Sequence, residues 1–283
     1  MSIKRVAIYY RPDSPRAVFW GGKIKSWLNK NHPRVKIVPK RPQAVIVVGG
    51  DGTILEAVQK FQKPNPLIFG LNTGHVGFLA AAREEKSFLK ALKLLFSGKY
   101  SNAIRVTKKM MIRAEVRRRG KKILEANALN EIAILNVLGI VELEVSIDDH
   151  VVQYIRGSGA MVATATGSTA YNLSAHGPIV MPDIKCMVLT EVMDHNIPTP
   201  SIVIKRDREV EIKVLEFRRR GLLKIAKSGE AADVLIIADG GERLTALQKG
   251  DIIKIKRSPG LIKFAELERA YFFKSLRSKF GFR

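Results

Sequence analysis

Through the first part of the chain, short apolar runs alternate with stretches of helical spacing. "RVAIYY" (5–10) has the composition of a strand. "SPRAVFWGGKIKSWLNK" follows, with Ser14 placed as an N-cap and Pro15 at the first helical position. "RVKIV" (34–38) and "AVIVV" (44–48) are apolar runs, the second continuous enough for a strand buried on both faces. Thr53 to Phe61 reads as helix, "PLIFGLN" (66–72) as a strand, and "EEKSFLKALKLLFSG" (84–98) as an amphipathic helix stopped by Gly98. Strand, helix, strand, helix predicts a parallel α/β sheet.

Beyond about residue 104 the pattern becomes β-rich. "IRAEV" and "ILEAN" flank the basic turn "RRRGKK" (117–122), and "VELEVSI" and "VVQYI" flank "DDH". "SIVI", "EVEIKVL", "LLKIA", "VLIIADGG" and "DIIKIK" continue the strand-and-turn pattern. The small, polar "TGSTAYNLSAHGP" interrupts it, and the terminal "FAELERAYFFKSLRSKFGF" is again helical in spacing. The expected domains are 1–104 with the segment 262–283 returning to it, and 105–261.

Composition narrows the class. At 283 residues and 46% apolar content the chain can bury a sizeable core and reads as soluble and globular. No apolar run approaches the roughly 20 residues of a membrane span, and "MSIKRVAIYY" lacks a signal-peptide layout. The single cysteine, Cys186, rules out a disulfide framework within one chain and fits a reducing, cytoplasmic setting. The net charge of +23 favours polyanionic partners without choosing among nucleotides, polyphosphate and nucleic acid.

Four segments could carry chemistry. "GGDGT", Gly49 to Thr53, closes an apolar strand and opens a helix, a layout that aims backbone N–H groups at an anion. It lacks the spacing of a Walker A loop or of the dinucleotide fingerprint. On these residues alone, a capped turn and a phosphate site are equally good readings of Asp51. "GLNTGHVGFL" (70–79) is a second close-approach loop at a strand end, where open α/β sheets bind ligands. In "NALNEIAI" (127–134), Asn130 and Glu131 interrupt apolar residues and could hold sugar hydroxyls, or form a strand-edge bulge. "RGSGAMVATATGSTAYNLSAHGPIV" (156–180) offers hydroxyls and glycines as a polar cradle for a nucleotide.

In order along the chain, these segments resemble the NAD kinase family. "GGDGT" is shared with diacylglycerol, sphingosine and 6-phosphofructokinases, whereas "TGSTAYNLSAHGPI" is close to the family's own "TGSTAYSLSAGGPI". The resemblance implies a Rossmann-like α/β N-terminal domain with a parallel sheet and a β-rich, β-sandwich-like C-terminal domain, the NAD kinase/diacylglycerol kinase-like fold. It implies transfer of a phosphoryl group from ATP, or polyphosphate, to the 2′-hydroxyl of NAD's adenosine ribose, giving NADP, with a divalent ion such as Mg²⁺. Asp51 matches the family's catalytic aspartate, the general base, and could also help hold the metal. Gly49, Gly50, Gly52 and Thr53 would line the phosphates. Asp51, Gly52, His75 and Phe78 would face the NAD side, with Asn130 and Glu131 gripping the ribose. Arg156, Ser158, Thr169, Ala170, Tyr171, Asn172, Leu173 and Ser174 match further dinucleotide-binding positions. A homodimer or homotetramer is implied, with no membrane and no specific nucleic acid as partner.

The chain departs from the family pattern at several points. Ser158 stands where relatives carry an acid that touches the NAD-side ligand, often between subunits. Gly241 replaces the amide of "DGQ", Ala165 replaces a proline, and 193–201 follows the family loosely while keeping His195. Two other functions compete: a lipid kinase, which would share "GGDGT" but not need the "NE" pair, and a basic nucleic-acid-binding protein, which would suit the charge but lacks stacking or recognition-helix motifs.

Overall fold

The computed structural model describes residues 3–74, 77–97, 104–195, 199–225, 229–241, 244–267 and 271–281. It forms two compact units, Met1–Lys109 with Leu261–Arg283, and Met110–Gly260.

In the first unit the order is β1 (Arg5–Tyr10), α1 (Pro15–Asn31), β2 (Lys36–Ile37), β3 (Ala44–Val48), α2 (Asp51–Phe61), β4 (Leu67–Leu71) and α3 (Glu85–Phe96). β1 pairs in parallel with β2 and β3, and β3 with β4. The expected parallel sheet is therefore present. All five residues of β3 are buried, as its unbroken apolar run requires. Ser14 caps α1 by accepting from the Ala17 N–H at 3.4 Å, with Pro15 starting the helix. That helix buries Trp20, Ile24 and Leu28, and Trp20 meets Phe88 of α3 edge-on at 4.9 Å. Each such large apolar side chain contributes about 1.5–3 kcal/mol by leaving water. Two boundaries differ from the sequence reading. β2 shrinks to two exposed residues on the sheet edge, where no second neighbour among the described strands extends it. Helix α2 begins at Asp51, two residues before Thr53, because Gly50 serves as its N-cap. The expected stop at Gly98 lies outside the described residues.

The second unit is antiparallel. β5 (Arg105–Arg118) and β6 (Lys121–Ala128) form the basic hairpin, turning at Arg119 and Gly120, both with positive φ. After β7 (Glu131–Asn136), β8 (Val141–Ile147) and β9 (His150–Thr164) turn at Asp148 and Asp149, also both left-handed, a pattern that matches the twist of a two-residue hairpin. A short helix, α4 (Tyr171–Ser174), precedes β10 (Cys186–Asp194), β11 (Ile202–Lys205), β12 (Val210–Phe217), β13 (Val234–Ala238) and β14 (Leu244–Leu247). The order is β14-β13-β7-β9-β8-β12, with β10 joining β9 to β11. The final strand, β15 (Ile252–Glu266), pairs its first part with β12 and its last part, in parallel, with β4. The described residues of "LLKIA" form no named strand and contribute the bridge Lys224 to Ala231. "FAE" belongs to β15, and within the described residues the terminal helix, α5, spans Tyr271–Phe280. Among the described residues no helix is long and apolar enough to cross a membrane.

Candidate active site

The first cluster lies where β3 ends. Gly49 has φ +153°, and a β-carbon there would strike the Thr53 side chain at 2.5 Å, so only glycine fits. Gly50 and Gly52 face open space, with nothing within 4 Å of an added β-carbon. Asp51 does not cap its own helix. Its carboxylate reaches the neighbouring loop instead, where Oδ2 accepts from the Phe78 N–H at 2.7 Å and Oδ1 from the Leu79 N–H at 3.3 Å. The glycine-rich loops after β3 and β4 are thus tied together through one carboxylate. His75 falls outside the described residues. The Phe78 ring packs against Phe272 and Phe280.

The electrostatics around Asp51 are opposed. Burial pushes its carboxyl above the ordinary range, while the Phe78 and Leu79 N–H groups and the charges of Lys279 and Lys109 pull it down, and burial prevails. Lys109, only 7% exposed, was not apparent from the sequence. Its Nζ sits 3.7 Å from Glu266 and 5.5 Å from the centre of the Phe264 ring. Burial lowers its pKa, against the attraction of Glu266 and Asp51.

The second cluster is built around the turn into β7. Asp239 accepts from the Leu129 N–H at 2.9 Å and from the Asn130 N–H at 2.7 Å, and its own N–H donates to the Glu131 carbonyl. From the other side, Thr164 donates its hydroxyl to the Leu129 carbonyl at 2.6 Å and its N–H to the Asn130 carbonyl at 2.8 Å. The Thr164 hydroxyl also accepts from the Gly167 N–H at 3.1 Å. A β-carbon on Gly167 would lie 2.2 Å from the Asn130 carbonyl oxygen. The "NE" pair and the "TGST" turn therefore touch backbone to backbone, which explains the glycine. Asn130 and Glu131 are both buried. The Glu131 carboxyl is pushed up to about 8 by burial and by the Asp239 charge, against the Tyr171 N–H that favours its ionised form. Its Oε2 is buried and has no hydrogen-bond partner among the described residues.

Other expected residues divide by placement. Thr169 is buried beside this cluster, while Tyr171 and Ser174 are exposed and Ala170 and Leu173 are half-buried. Asn172 is fully buried, and its amide donates to the Ser168 and Pro178 carbonyls and accepts from the Thr190 hydroxyl at 2.8 Å. Glu131 faces Ala163 across the ladder, whereas Leu135 faces Gly159. Ser158 and Arg156 therefore stand toward the far end of β9, Ser158 about 16 Å along the strand from the position opposite Glu131. The exposed Arg156 pairs with Glu142 at 3.2 Å. Asp239 was legible only as part of "ADGG", an acid between a strand and glycines, as in "GGDGT". Lys109 carried no comparable signal.

Comparison with known proteins follows the same lines. Residues 31–100 match the ATP-NAD kinase N-terminal domain and residues 129–267 the ATP-NAD kinase C-terminal domain. The NAD kinase of Lachnoclostridium phytofermentans is 33% identical over 261 residues, covering 91% of this chain and 86% of that protein. That of Symbiobacterium thermophilum is 32% identical over 296 residues, covering 97% and 98%. Among solved structures, an Archaeoglobus fulgidus NAD kinase in complex with ATP superposes with a TM-score of 0.73 at 26% identity, covering 97% of this chain and 99% of that one. Yeast NADH kinase complexed with NADH gives 0.86 at 19% identity, covering 100% and 88%, a likeness of fold. These whole-length matches disfavour the lipid-kinase and nucleic-acid-binding readings, and the chain belongs to the NAD kinase family.

Proposed function

We propose that Asp51 is the general base with which this NAD kinase makes NADP from NAD and ATP. The observation that carries the assignment is a half-buried carboxylate, its basicity raised by desolvation, held by two backbone N–H groups beside a glycine loop. The 2′-hydroxyl oxygen of the adenosine ribose attacks the γ-phosphorus of ATP. The bond from that phosphorus to the β–γ bridging oxygen breaks, ADP leaves, and the hydroxyl proton passes to Asp51. A base with a pKa nearer the working pH takes that proton more readily, a contribution of typically ~10²–10⁴-fold. The rest of the barrier is lowered by positioning and charge neutralisation.

Gly49, Gly50, Gly52 and Thr53 are assigned to the phosphates, because the open faces of Gly50 and Gly52 let a ligand approach the first N–H groups of α2. Asn130 and Glu131 are assigned to the ribose. An unpartnered buried carboxylate oxygen gains most from a hydroxyl donor, and Glu131 Oε2 is such an atom. Phe78 and the segment Thr169–Ser174 are assigned to the remainder of the dinucleotide. For Asn172 the internal hydrogen bonds favour a role in shaping that segment. Arg156 and Ser158 are assigned contacts only in the intersubunit arrangement that the family resemblance implies, in a homodimer or homotetramer.

Among the described residues, no three His, Cys, Asp or Glu side chains gather as a metal cage. Magnesium in phosphoryl transfer takes much of its coordination from substrate phosphates and water, which suits a chain whose contribution is the glycine loop. When bound with the donor, such an ion would neutralise phosphate charge.

The test is purified protein with Mg²⁺ and NAD, given ATP and, separately, polyphosphate. NADP, read with an NADP-specific dehydrogenase, is the expected product. No NADP with either donor would overturn the reading.

A further inference from the structure

Helix α5 grips the loop that holds Asp51 at two points. The first is polar. Ser275 Oγ donates to the Gly77 carbonyl at 3.1 Å, and Arg83 Nη2 donates to the same Ser275 Oγ. Arginine has donors and no acceptor, so the serine oxygen must accept from Arg83 and its proton is left to point at Gly77. The second point is aromatic. Phe78 lies 5.7 Å from Phe272 and 6.2 Å from Phe280 between ring centres, and Lys279 Nζ is 5.2 Å from the Phe78 ring. Gly77 and Phe78 are adjacent, and the Phe78 N–H is the shorter of the two bonds to Asp51.

Ser275 is wholly buried, while its helix neighbours Phe273, Lys274, Arg277 and Ser278 are exposed. An inward position on a short amphipathic helix ordinarily takes an apolar side chain. Here it carries a hydroxyl whose donor bond ends on the backbone carrying the carboxylate's hydrogen-bond donors. We infer that Ser275, oriented by Arg83, is a positioning residue for Asp51: it fixes the Gly77–Leu79 backbone and thereby the direction of the carboxylate. The inference rests on Asp51 being the base.

The test compares Ser275→Ala, Arg83→Ala, Arg83→Lys and Asp51→Asn in NADP formation, with a thermal melt of each. Loss of alignment at a reacting group lowers kcat, so Ser275→Ala and Arg83→Ala are expected to lose about tenfold or more in kcat with KM for NAD and ATP within about twofold. Arg83→Lys, which keeps a donor, should recover most of the loss. Arg83 is only half-buried, so if Ser275→Ala does not fold, the Arg83 pair decides the matter by the same readings. Unchanged kcat in the alanine variants, a loss that appears equally in KM, or a loss that Arg83→Lys does not restore would overturn the inference. If Asp51→Asn keeps wild-type turnover, the base assignment falls and the inference with it. If Asp51→Asn is inactive while the other variants match wild type, the positioning claim alone falls.

Discussion

Gly77 and Asp51 lie so close that a β-carbon on the glycine would fall 2.2 Å from Oδ1 of the aspartate. The obstacle is a side chain that can rotate, so Gly77→Ala should leave the fold intact and move the carboxylate. The expected result is a kcat lowered by about 10–100-fold, with a melting temperature close to wild type. Steady-state kinetics beside a thermal melt check it. A parallel collapse of stability would mean that the glycine serves packing instead.

Glu131 couples stability to pH. Its carboxyl rises from an ordinary 4.5 to about 8 in the folded chain. Between those values the folded state keeps a proton that the unfolded state has released, so this group's contribution is fully present below 4.5 and is lost as pH rises through 8. Glu131→Gln removes that dependence. Its melting temperature should exceed wild type by a few degrees at pH 8, with the gap shrinking toward pH 5. Above pH 8, where the wild-type carboxyl is ionised, the same variant should also raise KM for NAD, since the ribose loses a charged acceptor. A gap that does not change with pH would contradict the assignment of the raised acid.

Arg118 sits in the basic hairpin yet turns inward. It donates to both oxygens of Asp251, at 2.9 Å from Nε to Oδ1 and 2.8 Å from Nη2 to Oδ2, and also to the Ala246 carbonyl. The Asp251 side chain is 1% exposed. Arg118→Ala takes the ion-pair partner from that carboxylate, which would still accept from the Gln248 N–H at 2.8 Å, at a cost of roughly 3 kcal/mol. A fall of about 10 °C in melting temperature follows. Substituting the exposed Arg117, by contrast, should change stability little, because exposed ion pairs are worth ~0–1 kcal/mol. Melts of the two variants side by side distinguish a stapled hairpin from a solvated one.

Local chemistry made the frame readable. Ser14 followed by Pro15 marks a helix start, the unbroken "AVIVV" marks a strand covered on both faces, and "GGDGT" sits at a strand end as its glycines demand. The start of α2 was displaced because a glycine N-cap carries no side-chain signal. What stayed hidden depends on distant partners. Asp239 holds Asn130 from 109 residues away, and Ser275 reaches Gly77 across 198. Neither spacing leaves a periodic trace. Lys109 was hidden for the same reason, since its partner Glu266 arrives on the last strand. The whole-length likeness to NAD kinases identified the family, but the carboxylate's hydrogen bonds to Phe78 and Leu79 come from geometry.

The role of Asp51 is tested most directly by Asp51→Asn, measured as kcat for NADP formation at saturating ATP and NAD, with NAD affinity determined alongside. The amide keeps the size of the carboxylate and cannot take the proton. The expected result is a loss of ~10²–10⁴-fold in kcat with NAD binding retained. Turnover near wild type would show that another group, or none, removes the proton from the 2′-hydroxyl.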